Sequence, residues 1–294
     1  MTLLAAVAGA VAISFSAILY SLAEVSPSTG AFFRLFYALP ILFILWWSRR
    51  DQDRRSPKRR LVALVAGILL GLDILVWHIA IEYIGAGLST LIANSQVVVV
   101  ALAAWILLDE KPSREVAIAV PVVLLGVSLV SGLGRGDAFG SSPVLGTILA
   151  LASAVLYAGF ILGFRVSNEI QAPSAGPLLE STAGAALAIL VTSLPFGGLE
   201  FAPTWPAHGW LLTLALTSQV AGWMLIGYAL PRLPAVETAT IILLQPVLTM
   251  IWAVLIFSEQ PSRMQWIGAA LVLVGVGFVA LTRSRRAVAV APIA

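Results

Sequence analysis

The chain contains an internal repeat whose two copies are separated by about half of its length. Residues 83–132 recur at 232–281, displaced by 149 positions, and Gln96 and Gly126 align with Gln245 and Gly275. The best matched stretches are Glu110-Lys111-Pro112-Ser113-Arg114 and Glu259-Gln260-Pro261-Ser262-Arg263. A period of this length indicates a duplicated half rather than a solenoid repeat. Any fold for this chain must therefore accommodate two related halves.

The composition predicts an integral membrane protein. Hydrophobic residues make up 60% of the chain and charged residues only 11%, whereas a soluble domain carries roughly 25% charged residues. A helix needs about 20 apolar residues to cross the hydrocarbon core of a bilayer. We predict an all-α fold with ten transmembrane helices, five in each half: 2–22, 29–48, 61–83, 86–108, 113–132, 143–166, 175–196, 207–230, 235–257 and 262–282.

Two features predict that the halves have opposite orientations in the membrane. An odd number of spans in the first half makes the second half start from the other side, the inverted-repeat arrangement common in secondary transporters. With both termini in the cytoplasm, 14 of the 17 Lys and Arg residues lie on the cytoplasmic side, as the positive-inside rule requires. We expect a first repeat at 1–132, a linker at 133–142, a second repeat at 143–282 and a cytoplasmic tail at 283–294.

Several classes of function are excluded or disfavoured. The chain has no cysteine, only two histidines, and no zinc-protease, phosphate-loop or nucleophile-elbow motif, so we predict no catalytic residues, no metal site and no cofactor. The basic residues are explained by topology and by anionic lipid headgroups, so we expect no nucleic-acid partner. The expected partners are the lipid bilayer and a small-molecule substrate. The oligomeric state stays open.

The spans and the repeat resemble those of a known family. The pattern that runs from Gln245-Pro246-Val247 through Ser258-Glu259-Gln260-Pro261-Ser262 to Trp266-Ile267-Gly268 is similar to the EamA repeat of the drug/metabolite transporter superfamily. The resemblance covers essentially the whole chain and is greatest to bacterial amino-acid exporters of the YddG type. It implies two five-helix halves around a central cavity, with spans five and ten at the periphery. The first half departs from the pattern, because Val97 aligns with Pro246.

Polar side chains within apolar spans are the first candidates for a substrate site. Such residues are costly in a membrane and often functional. Span three carries Asp73, His78 and Glu82, and we consider Asp73 either a proton-coupling group or a hydrogen-bonding partner of a neighbouring helix. His78 and Glu82 lie about 40° apart on the helix and either contact substrate or form an interfacial pair.

Amides and aromatic rings are the second group of candidates. Asn94, Gln96 and Gln245 offer donors and acceptors that suit an ammonium or a carboxylate, although interhelical hydrogen bonds explain them equally well. Trp77, Tyr157 and Trp223 lie on spans that the resemblance places around the cavity, and Gln219 shares a face with Trp223; ordinary core packing is the alternative for the rings. Pro246 is the candidate hinge.

Three further expectations concern helix packing and charge. Gly67 and Gly71 in span three, like Gly159 and Gly163 in span six, permit close helix contact, so these two spans are expected to cross. Arg34 is expected close enough to the end of span two to reach the interface. Glu180 and Glu237 are expected to pair with Arg165 or Arg232, or to attract substrate.

Together these observations predict a secondary transporter in a bacterial inner membrane. We expect it to export small metabolites, including aromatic amino acids, by alternating access. The alternatives are a drug, nucleoside or other metabolite transporter of the same superfamily, or a membrane scaffold that transports nothing. The sequence does not distinguish proton coupling from facilitated diffusion.

Overall fold

The computed structural model describes residues 2–96, 98–99, 114–132, 136–167, 175–194, 198–229 and 235–290, with the side chains of 115, 116, 165, 235–243 and 279–290 excepted. Its regular secondary structure is helical throughout these residues. The helices are α1 Thr2–Ser14, α2 Ser16–Ala23, α3 Pro27–Trp47, α4 Pro57–Ala93, α5 Arg114–Val130, α6 Pro143–Ser167, α7 Ala175–Ser193, α8 Trp205–Leu214, α9 Trp223–Ala229, α10 Ala235–Phe257 and α11 Arg263–Val290. A π-helical segment, Ala215–Gly222, joins α8 to α9.

Two Ser-Pro pairs define the starts of α3 and α4. Ser26 and Ser56 act as N-caps, and their side chains accept hydrogen bonds from the backbone amides of Thr29 and Arg59. The following proline has a fixed φ and lacks the N–H that would be unsatisfied at a helix start. These caps begin α3 two residues and α4 four residues before the predicted spans.

The fold is of the membrane type. Six helical stretches are long and apolar enough to cross a bilayer: Thr2–Ala23, Pro27–Trp47, Pro57–Ala93, Pro143–Phe164, Ala175–Ser193 and Trp205–Ala229. Three shorter apolar helices, Ala117–Val130, Leu244–Phe257 and Arg263–Phe278, accompany them in the described part of the chain. The prediction of an all-helical membrane protein is confirmed. The count of ten spans and the inversion of the halves stay predictions.

Helix α4 is interrupted at Gly85. Its 37 residues would extend about 55 Å as one straight helix, far more than the roughly 30 Å hydrocarbon core. Gly85 has φ 79° and ψ 169°, and this non-helical backbone separates the residues before it from those after it. The interruption lies between the predicted third and fourth spans.

Glycines allow two pairs of helices to pack backbone against backbone. A Cβ on Gly67 would lie 2.1 Å from the carbonyl oxygen of Ser181 in α7, and one on Gly184 would lie 2.0 Å from that of Leu64 in α4. Gly126 of α5 and Gly268 of α11 contact each other in the same way. Small residues provide this close approach in membrane bundles, where apolar burial contributes little to helix association.

The expected crossing of spans three and six is present, but its details differ from the prediction. A Cβ on Gly163 of α6 would lie 2.7 Å from the Ala66 Cβ in α4, so the glycine motif of α6 does face span three. The motif of α4 itself faces α7 instead, because Gly71 lies against Ala185. Sequence spacing identified the small-residue faces without identifying their partners.

Candidate substrate cavity

A small internal cavity lies among helices from both halves of the chain. Its volume is about 70 Å³. Its walls are formed by Ile13, Ser16, Arg34, Leu70, Asp73, Ile74, Trp77, Thr90, Ala93, Asn94, Gln96, Ser153, Tyr157, Trp223 and Gln245. Charged, amide, hydroxyl and aromatic side chains thus share one concave surface with aliphatic ones, as is usual in small-molecule sites.

Seven of the eleven predicted site residues line this cavity. They are Asp73, Trp77, Asn94, Gln96, Tyr157, Trp223 and Gln245. In the part of α4 before Gly85 the lining positions are 70, 73, 74 and 77, which is the spacing of one helical face. The duplicated glutamines Gln96 and Gln245 meet at the same cavity, although they are 149 residues apart in sequence. Their roles in substrate binding stay predictions.

The aromatic wall is rigid because its rings support one another. The ring of Trp223 meets that of Tyr157 edge-on at a centroid distance of 6.4 Å, and Phe160 packs behind it at 5.7 Å. Phe160 is completely buried. Edge-to-face pairs of this kind are favourable beyond their buried area. The exposed faces of such a wall can hold an apolar or aromatic side chain.

Three buried polar atoms on lining residues have no hydrogen-bond partner among the described residues. They are Trp77 Nε1, Thr90 Oγ1 and Gln96 Oε1. Buried polar groups are paired in the great majority of cases, and leaving one unpaired costs about 1–3 kcal/mol. An indole donor, a hydroxyl and an amide acceptor are therefore available to a polar ligand at this cavity.

Arg34 is a lining residue whose role the sequence analysis left ambiguous. The prediction put it close enough to the end of span two to reach the interface, but it is only 5% exposed and lies about 10 Å along α3 from Pro27. Arg34 Nε donates to Gln219 Oε1 at 3.2 Å, and Nη1 donates to Ser16 Oγ at 2.9 Å. The sequence did contain a signal for a functional position here, because Arg34 is a single cation among apolar neighbours in Phe32-Phe33-Arg34-Leu35-Phe36.

Asp73 and Gln219 are held by short polar side chains of neighbouring helices. Ser153 Oγ donates to Asp73 Oδ1. Gln219 lies in the π-helical segment, is completely buried, and donates from Nε2 to Thr182 Oγ1 at 3.2 Å. Gln219 is absent from the cavity lining, and its contact with Arg34 connects it to the site indirectly. π-Helical turns frequently occur at functional sites.

His78 and Glu82 lie outside the lining of the cavity. The His78 ring stacks on Tyr20 with centroids 3.7 Å apart, and Tyr20 donates its hydroxyl hydrogen to Glu82 Oε1 at 3.4 Å. His78 is completely buried, and its Nδ1 lies 3.4 Å from the carbonyl oxygen of Pro27. Tyr20 therefore connects the two residues, and the contacts of the described residues include no hydrogen bond or ion pair between His78 and Glu82.

The candidate hinge lies inside a helix. Helix α10 runs from Ala235 to Phe257 and includes Pro246. The neighbouring Gln245 lines the cavity, so a bend at this position would move a cavity wall. The hinge role stays a prediction.

An ion-pair cluster connects the α3–α4 loop to α7. The side chains of Asp53 and Arg55 are completely buried, and Arg55 also donates to Glu180 Oε2 at 2.7 Å. Burial raises the pKa of Asp53, but hydrogen bonds from Arg55 and Trp46, together with the charge of Arg55, outweigh it and hold the pKa at about 2. Burial lowers the pKa of Arg55, and its bonds to Asp53 and Glu180 overcome this and raise it.

This cluster gives Glu180 basic partners that the sequence analysis did not name. From the sequence, Glu180 is expected to pair with Arg165 or Arg232 or to attract substrate; among the described residues its partners are Arg55 and, at 4.0 Å, Arg60. The side chains of Glu237 and Arg165, and the whole of Arg232, lie outside the described residues. Within the described residues, no group of three or more His, Asp or Glu side chains is arranged to hold a metal ion.

A membrane-type helical fold and a polar cavity built from both halves define a transport protein. The chain belongs to the EamA-like transporter family, whose pattern it matches over residues 1–132 and 144–281. Both halves thus match the same family pattern separately. Family membership identifies the protein as a multi-pass membrane transporter rather than an enzyme.

Its relatives agree with this class, and a solved structure shares its fold. The chain is 26% identical to an uncharacterized transporter of Archaeoglobus fulgidus, over 90% of this chain and 91% of that protein. It is 24% identical to the uncharacterized transporter YwfM of Bacillus subtilis, over 85% and 83% of the two chains. A protein of known crystal structure has a similar fold, with a TM-score of 0.63, 20% identity, and coverage of 97% of this chain and 98% of that one.

Proposed function

We propose that this protein is a secondary transporter that exports small metabolites, chiefly amino acids including aromatic ones, by alternating access. The observation that carries the proposal is the composition of the cavity. Residues 13–96 provide both charged groups and most of the polar atoms, whereas Ser153, Tyr157, Trp223 and Gln245 complete the wall from the second half. A site between two repeats is where a relative movement of the halves alternates its access.

The proposed topology has ten spans, two inverted halves and both termini in the cytoplasm of a bacterial inner membrane. It is supported by the number of basic residues on one side, 14 of 17, and by the repeat itself. The buried Asp53–Arg55 pair and Glu180 then join the cytoplasmic ends of α3, α4 and α7. Opening the cytoplasmic side requires this cluster either to move as a unit or to separate.

The cavity chemistry favours amino acids over purely apolar or purely cationic compounds. Arg34 provides a buried positive charge, which repels a cationic drug unless Asp73 offsets it. The unpaired Trp77 Nε1 and Gln96 Oε1 supply one donor and one acceptor. The wall of Tyr157 and Trp223 accepts an apolar or aromatic side chain. Because the chain has no phosphate-loop motif, flux is expected to follow a substrate or ion gradient.

Counterflow in liposomes that contain only the purified protein tests this function. Vesicles are loaded with unlabelled amino acid, and uptake of the labelled compound is measured with a nucleoside and a cationic dye as competitors. Saturable amino-acid uptake supports the proposal. If only the dye or the nucleoside is transported, the proposed substrate class is wrong. If correctly folded protein shows no flux at all, the result supports a membrane scaffold instead of a transporter.

A further inference from the structure

Two opposite charges line the same cavity from adjacent helices. Arg34 belongs to α3 and is 5% exposed, and Asp73 belongs to α4 and is 8% exposed. The other lining residues are uncharged, and they include the aliphatic side chains of Leu70 and Ile74. Charged residues within membrane helices are rare and costly, which makes a pair of them the strongest chemical feature of this site.

The two charges are not joined as an ion pair. No nitrogen of Arg34 lies within 4.0 Å of a carboxylate oxygen of Asp73 in the described structure. Each is held instead by neutral side chains, Arg34 by Ser16 and Gln219, and Asp73 by Ser153. The two charges still attract each other across the cavity, but a purely structural pair would gain most from direct contact, because separation leaves more of the desolvation penalty of each charge uncompensated.

Both groups keep hydrogen-bonding capacity for a ligand. A guanidinium has five N–H groups, and only two of those of Arg34 have partners among the described residues. The carboxylate of Asp73 accepts a hydrogen bond at Oδ1, and Oδ2 has none from the described residues. The guanidinium suits a carboxylate, which it can bind through two parallel bonds, and the free carboxylate oxygen suits an ammonium.

We propose that Arg34 binds the carboxylate of the substrate and that Asp73, positioned by Ser153, binds its ammonium group. The cavity then selects zwitterions, and a molecule that lacks either charge leaves the opposite buried charge unpaired. The substrate side chain lies against Tyr157 and Trp223. The proposal rests on the proposed function for its biological setting, and it assigns to Asp73 a substrate contact in addition to the predicted proton role.

Ligand binding to the purified protein tests the proposal independently of flux. The readout is the ligand-induced rise in Tm, which follows affinity by mass action. The probes are phenylalanine, leucine and threonine, each compared with its amide, which lacks the carboxylate, and its N-acetyl derivative, which lacks the ammonium. At least one free amino acid is expected to bind about 10- to 100-fold more tightly than both of its derivatives, as expected for loss of a charged hydrogen bond in a buried site.

Two variants assign the charges to individual residues. In Arg34→Gln the amino acid is expected to bind no better than its amide does, and the affinity of the amide is expected to be nearly unchanged. In Asp73→Asn the amino acid is expected to bind no better than its N-acetyl derivative does, and the affinity of the N-acetyl derivative is expected to be nearly unchanged. Arg50→Gln serves as the matched control, because that arginine is largely exposed in the loop after α3. Arg34→Lys keeps the positive charge if Arg34→Gln does not fold.

The outcomes separate this proposal from the proposed function. If no free amino acid binds, or if the amide and the N-acetyl derivative bind as tightly as the parent, the zwitterion site is wrong. Equal weakening of all three probes in both variants also contradicts it, because that pattern indicates a purely structural role. Selective binding of the zwitterion without counterflow supports the site and contradicts the transport function.

Discussion

The carboxylate of Glu259 caps the backbone just after Gly85, across 173 residues of sequence. Oε1 accepts a hydrogen bond from the Ala86 amide at 2.7 Å, and Oε2 accepts one from the Gly87 amide at 3.3 Å. Glu259 is 7% exposed and lies in the turn between α10 and α11. An anion at a helix N-terminus pairs with free amides and with the positive end of the helix dipole. One side chain thus connects the two halves.

Replacing Glu259 with alanine is expected to lower the stability of the folded protein by about 1–2 kcal/mol, because two helix-terminal amides lose their acceptor. Glu259→Gln keeps one acceptor oxygen and is expected to lose less. The measurement is the Tm of each variant in detergent by intrinsic fluorescence. A Tm for Glu259→Ala equal to that of the wild type would show that the cap contributes nothing to stability.

Gly85→Ala is expected to destabilise the protein for two separable reasons. The backbone at φ 79° and ψ 169° costs an L-residue roughly 1–3 kcal/mol, and the added Cβ would lie 2.5 Å from Glu259 Oε1. In the double variant with Glu259→Ala the clash between the Cβ and the carboxylate disappears, while the backbone strain at position 85 remains. The loss of stability in the double variant is therefore expected to be smaller than the sum of the losses in the two single variants. Gly209→Ala, which has open space around its Cβ, is the control and is expected to keep the wild-type Tm or raise it.

The Asp53–Arg55 pair is expected to give a defined pH dependence of stability. The pKa of Asp53 is about 2 in the folded protein and about 3.9 in an unfolded chain, so the pair stabilises fully above the unfolded value. This stabilisation is lost as the pH falls through about 2. The difference in Tm between wild type and Asp53→Asn should therefore be constant from pH 5 to 8 and shrink below about pH 4. A difference that changes between pH 6 and 8 would assign the effect to another group.

The sequence predicted the chemistry of the cavity better than the connections behind it. Gln96 and Gln245 were identified as amides within apolar spans, and Trp77 and Tyr157 were identified because the family resemblance places their spans around the cavity. All four line it. The partners of these residues were not predictable, since helix rotation and depth are set by packing between distant segments. Gly67 illustrates this, because its spacing with Gly71 marks a contact face but does not specify α7.

The contacts of Arg34 and Gln219 could not be predicted from a single sequence. Hydropathy gives the approximate position of a span, but it does not show which side chains a cation within that span contacts, so the hydrogen bonds of Arg34 to Gln219 and Ser16 were not predicted. The link between the two residues depends on the π-helical turn at Ala215–Gly222, which changes the direction of the side chains on α8 and α9. No residue pattern in that stretch signals such a turn.

Gln219→Leu tests whether the residue positions Arg34 or only fills space. The leucine removes the acceptor for Arg34 Nε and the donor for Thr182, while it keeps a similar volume. We expect amino-acid affinity to fall about tenfold, because the guanidinium loses its orientation, and the affinity for the matched amide to stay nearly constant. Thr182→Val is the control, since it removes only the bond behind Gln219. Equal losses for the amino acid and its amide in Gln219→Leu would indicate that Gln219 supports the packing of the bundle and not the position of Arg34.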